Sequence, residues 1–130
     1  MSGMSTEVCA TVKIVGFHCW SGAPEDVDHL TVRHRHLFTV RVWCWVGHPD
    51  REVEFHQLQR RVHWSLVSMY GSEQNQFEIE LDGRGCEHVA NDLIVHPPLN
   101  DLPISRVEVW EDDENGAVIY TDEKPYRSEQ

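Results

Sequence analysis

The chain has 130 residues, 40% of them hydrophobic and 25% charged, which is the length and balance of one globular domain and excludes a disordered chain. Eleven Lys+Arg against 22 Asp+Glu leave a formal charge of −11, which argues against a surface built for a nucleic-acid backbone. It leaves anionic small molecules open, because a local site can oppose the net charge.

After a loose Met1–Ser5 start, Glu7–Phe17 alternates as a strand does. Val8, Ala10, Val12 and Ile14 share one face, and Cys9, Thr11 and Lys13 the other. Residues 18–33, with Gly22, Pro24 and an acidic stretch, read as a polar loop. Leu37–Val46 is a second strand, with Phe38, Val40, Val42, Cys44 and Val46 opposite Thr39, Arg41, Trp43 and Trp45. Trp43 and Trp45 therefore share a face, which is either helix-covered core or a subunit interface. Gly47-His48-Pro49-Asp50 is a turn and Arg51–Phe55 a short extended piece.

The period then changes: Leu58, Val62, Leu66 and Met69 fall at helical spacing, up to Tyr70-Gly71. Phe77–Leu81 reads as a strand or an irregular stretch. Cys86–Val95 is a second helix, stopped before Pro97-Pro98. Ile104–Glu111 and Ala117–Asp122 form a hairpin around Asn115-Gly116, with a loose tail after Lys124. The expected fold is α+β: one domain over residues 1–130, with two helices on one face of an antiparallel sheet.

Four cysteines form no CxxC pair, and no secretory leader or long apolar run is present. The expectation is a cytoplasmic protein with reduced thiols and no membrane partner. Nine histidines are the unusual entry in the composition, and their placement carries the chemistry. His34 and His36 sit two apart at the mouth of a strand, so both imidazoles point to one face. His18 ends the strand expected to pair with that one. Three imidazoles and one open position make the donor set of a catalytic zinc site, whereas an HxH pair alone is better explained by ordinary surface histidines.

Phe17-His18, a loop, and then His34-Arg35-His36 before a hydrophobic strand resemble the 6-pyruvoyl-tetrahydropterin synthase and 6-carboxy-tetrahydropterin synthase family. Three further segments extend the likeness. Val53-Glu54-Phe55-His56-Gln57-Leu58 is similar to the family's strand-to-helix junction, Gly85-Cys86-Glu87-His88-Val89-Ala90 to its second helix start, and Val107–Glu111 to its closing strand. The resemblance implies a tunnelling fold that assembles through sheet edges into a homo-oligomeric ring, such as a hexamer. It implies Zn²⁺ on His18, His34 and His36, and a pterin or purine-like ligand held by Glu111, with Glu87 as a secondary ring-side acid. A carboxylate suits that ring because it accepts a ring N–H and the neighbouring exocyclic amine as a bidentate pair.

The departures fall on catalysis. Leu30 stands where the family places a proton-transfer cysteine, and Ser65–Gln76 holds neither Asp nor His where an Asp-His dyad belongs. Arg35 replaces the glycine of the histidine motif. Asp28 and His29, in the loop before the metal histidines, are the substitutes to test first as acid–base groups. Two functions follow. One is a metal-dependent lyase-like enzyme acting on a pterin or 7-deazapurine precursor such as dihydroneopterin triphosphate. The other is a catalytically inactive relative that binds or sequesters a pterin, purine or nucleotide.

Overall fold

Two long alternating strands build the centre of the molecule. In the computed structural model, which describes residues 4–96 and 99–121, β1 (Thr6–His18) and β2 (His34–Val46) pair antiparallel from Thr6↔Val46 to His18↔His34. Alternate residues point inward: Ala10, Val12 and Ile14 of β1 and Phe38, Val40, Val42 and Cys44 of β2 are buried. β2 starts at His34 rather than Leu37, so both histidines of the motif lie within the paired strand.

Glu54 caps α1 (Phe55–Tyr70), its carboxylate accepting from the His56 and Gln57 N–H groups at 3.0 Å each. Hydrogen bonds from those two backbone N–H groups hold its carboxyl below the ordinary range. Leu58, Val62 and Leu66 form the buried stripe expected from their spacing. The short extended piece expected at 51–55 is instead turn and bend leading into this cap, with Arg51 at a left-handed φ of 57°. α2 (Cys86–Val95) buries Val89, Ala90 and Leu93 and is tied to α1 where the Tyr70 hydroxyl donates to Asp92 at 2.5 Å. Both helices join the inward strand residues in one core on the same sheet face, α1 against β1 and β3 and α2 against β4 and β5.

β3 (Glu78–Asp82), β4 (Ile104–Glu111) and β5 (Asn115–Tyr120) complete a five-stranded sheet of order β3-β1-β2-β4-β5. The sheet is mostly antiparallel, which corrects the wholly antiparallel expectation: β3 runs parallel to β1, from Val15↔Glu78 to His18↔Asp82. A helical excursion between β2 and β3 allows that entry, as a tight hairpin does not. The 18–33 connection is not plain loop either, since it contains a 3-10 helix, Glu25–Thr31, kinked at Val27.

The closing hairpin turns three residues earlier than Asn115-Gly116. Asp112 and Asp113 take left-handed φ values of 53° and 58°, and the Glu114 N–H closes the turn on the Glu111 carbonyl at 2.9 Å. Both aspartates dock on β2, Asp112 accepting from the Leu37 N–H and Asp113 from the Thr39 hydroxyl. Trp43, Trp45 and Trp110 lie on the sheet face away from the helices, where Glu108 accepts both the Trp43 and Trp110 indole N–H groups and Arg106 stacks 3.9 Å over Trp43. The helix stop at Pro97-Pro98, residues 1–3 of the loose start, Asp122 and the tail after Lys124 lie outside the described residues.

Candidate metal centre

The β1–β2 register sets His18 directly opposite His34, with His36 two residues along the same face. That face is the inward one, so the histidines continue the line of Phe38 and Ile14 past the end of the apolar core. Their ring centroids stand 4.5, 4.9 and 5.1 Å apart, and one nitrogen from each lies within 4.8 Å of the others. The Phe38 ring meets His18 and His36 edge-on at 5.7 Å and forms an apolar floor beneath them.

Each imidazole is held through Nδ1. The Arg84 carbonyl lies 2.9 Å from Nδ1 of His18, the Val32 carbonyl 2.8 Å from that of His34, and the Asp112 carboxylate 2.6 Å from that of His36. A carbonyl only accepts, and so does an ionised carboxylate. Asp112 is held in that form, because hydrogen bonds from His36 and the Leu37 N–H keep its carboxyl below the usual range. The network therefore places a proton on Nδ1 in all three rings, and in a neutral imidazole the lone pair then lies on Nε2. Outer partners that fix the tautomer of ligating histidines are the usual second layer of a metal site, and three neutral imidazoles suit Zn²⁺.

Glu111, the last residue of β4, reaches the same place. Its Oε2 lies 3.6 Å from His18 Nε2 and its Oε1 3.7 Å from His36 Nε2. Cys86 lies against it, its thiol pushed up to about 12 by burial first and then by the Glu111 charge. Both influences disfavour the thiolate that a nucleophilic cysteine needs.

A cavity of about 590 Å³ opens over the histidines, walled by Trp20, Leu30, Glu87, His88 and Glu111 among others, within the size range of small-molecule sites. The 18–33 connection brings Trp20 and Leu30 together through a Trp20 N–H to Leu30 carbonyl bond of 2.8 Å. The structure thus gathers five of the seven residues singled out in the sequence: His18, His34, His36, Glu111 and Glu87. Asp28 and His29 sit exposed on the 3-10 helix and do not line the cavity. Three contributors carry no signal in the sequence. Asp112 is one acid in an acidic run, and Arg84 acts through its backbone. His88 accepts the Gly85 N–H on Nδ1 at 3.0 Å, the opposite tautomer to the metal histidines, and so offers an Nε2–H donor to the cavity.

No protein-family model matches the chain, and no curated protein matches it. Among solved structures, the fold is similar to the crystal structure of an uncharacterized protein from Wolinella succinogenes, with a TM-score of 0.60 over 92% of this chain and 100% of that one. At 11% identity this likeness speaks for the α+β fold alone. Among the described residues, no helix is long and apolar enough to cross a membrane.

Proposed function

We propose that the chain is a divergent, zinc-dependent relative of the 6-pyruvoyl-tetrahydropterin and 6-carboxy-tetrahydropterin synthases, a lyase-like enzyme acting on a pterin or 7-deazapurine precursor. The observation that carries this reading is the convergence of three imidazoles, each held by a hydrogen bond at Nδ1, on the wall of a ligand-sized cavity. His18, His34 and His36 hold the ion, which when bound supplies Lewis acidity to side-chain oxygens of the substrate. Glu111 and Glu87 face the ring edge as bidentate acceptors. Of the acid–base candidates, Asp28 and His29 need a movement of the 3-10 helix to reach substrate, whereas His88 already stands on the wall with an N–H to donate.

A second reading has its own observation. Leu30 lines the cavity; by the resemblance it takes the position of that family's proton-transfer group, and an aliphatic side chain there favours capture of a pterin, purine or nucleotide without turnover. One experiment separates the two. Zinc-loaded protein is incubated with dihydroneopterin triphosphate, and the released and retained small molecules are analysed by mass spectrometry. The enzyme reading expects a new product that is lost in His34→Ala. Retained, unaltered ligand supports the binding reading, and neither product nor retention overturns the ligand class.

A further inference from the structure

The wall of the cavity over the histidines is chemically divided. Trp20 and Leu30 are its two large apolar side chains, and both come from the 18–33 connection. Glu87, His88, Glu111 and Asn115, from α2, β4 and β5, supply polar groups. Such a lining fits a ligand with an apolar face and a polar edge, which is the chemistry of a flat heteroaromatic ring.

Trp20 is 49% exposed although it stands only two residues from His18. The main chain around it is fixed at three points. The Cys19 N–H donates to the Asp82 carbonyl at 2.8 Å, the Trp20 N–H to the Leu30 carbonyl at 2.8 Å, and the Ala23 N–H to the Trp20 carbonyl at 3.1 Å. The indole is not engaged in the same way. Trp43 and Trp110 donate their indole N–H groups to Glu108, whereas that of Trp20 meets no acceptor among the described residues. Its Nε1 edge lies beside Gly22, where a Cβ would stand 3.7 Å away. An indole on a fixed backbone has only two side-chain torsions to settle, so it offers a large flat contact at small entropic cost.

We infer that Trp20 is the stacking wall of this site: its indole covers the face of a planar, pterin- or purine-like ring whose edge meets the acids and His88. The inference rests on the ring-ligand reading above and adds the residue that selects for aromaticity.

The test is equilibrium dialysis of neopterin, and of guanosine as the purine probe, against the full chain in zinc-containing buffer. Wild type is compared with Trp20→Ala, Trp20→Leu and Trp20→Phe. Ala and Leu are expected to weaken ring binding about 5- to 100-fold, the range for removing an aromatic partner from a stacked base, while Phe keeps most of it. Zn²⁺ affinity, measured by chelator competition, is expected to be the same in all four proteins. Circular dichroism establishes that each variant is folded, and Trp20→Leu, which keeps an apolar side chain, decides the question if Trp20→Ala does not fold. A folded Ala or Leu variant that holds the probes as tightly as wild type overturns the inference. So does a parallel loss of ring and Zn²⁺ binding, which makes Trp20 a support for the 18–33 connection. In either case, a probe bound by wild type leaves the ring-ligand reading standing. A wild-type chain that binds neither probe overturns both.

Discussion

The Asp112 carboxylate serves two donors at once, Oδ2 taking the His36 Nδ1–H at 2.6 Å and Oδ1 the Leu37 N–H at 2.8 Å. Asn is the informative replacement, because it tolerates the left-handed φ of 53° at this position. It turns one oxygen into an NH₂ group, so one of the two donors then faces a donor instead of an acceptor. We expect Asp112→Asn to lower Zn²⁺ affinity about 10- to 100-fold while the chain stays folded, as measured by competition with a chromogenic chelator. Equal affinity in the two proteins would detach Asp112 from the site. The three histidines were legible at this scale because their residue type is a ligating one at strand spacing, whereas Glu111 was singled out only through the family resemblance. Asp112 was not, because nothing in a run of four acids says which one turns back toward β2.

Strand pairing does the positioning at the next scale. Gly16 lies opposite His36 in the β1–β2 register, and the Phe38 ring covers it. A Cβ at this position would stand 2.8 Å from Phe38 Cδ2 and Cε2 and 3.1 Å from Ile79 Cγ1. The same ring supports His18 and His36 from beneath, so crowding at Gly16 is passed to the ligands. Gly16→Ala is expected to cost about 1–3 kcal/mol of stability, the range for overpacking a filled core, and to weaken Zn²⁺ binding together with it. Chemical denaturation and metal titration of the single variant and of Gly16→Ala with Phe38→Leu test this. Recovery of stability by the smaller side chain is the expected result, and no recovery places the strain elsewhere. The two long strands were legible from alternation and α1 from its 3.6-residue stripe, whereas β3 was too short to be told from an irregular stretch. The hairpin turn was displaced, because Asn115-Gly116 is a strong local signal, and two aspartates anchored to β2 outweigh it.

Across the whole molecule, the helices cover one sheet face and leave the other to Trp43, Trp45, Trp110 and their polar partners. The sheet also leaves pairing capacity at its margins. Among the described residues β3 pairs only with Val15–His18 of β1, and β5 pairs only with β4. Unpaired edge groups of this kind are templates for another strand. The assembly of copies through sheet edges that the family resemblance implies predicts a sedimentation mass that is a small-integer multiple of 15.1 kDa, and a protein that remains a single chain at micromolar concentration removes that expectation.

The sequence by itself determined β1, β2, the two helices and the closing hairpin, their inward faces and the spacing that sets His34 and His36 on one side of a strand, because periodicity and side-chain chemistry are local properties. It did not determine that β3 enters parallel, that the 18–33 connection folds into a 3-10 helix carrying Asp28 and His29 away from the cavity, or that His88 and Asp112 face the site while Leu30 walls it. Those are decided by which strands meet and where connections dock, and such contacts join residues as distant in sequence as His36 and Asp112. Only the tertiary structure brings them within hydrogen-bonding reach, since the energy that selects them comes from burial and pairing between segments that no local pattern records.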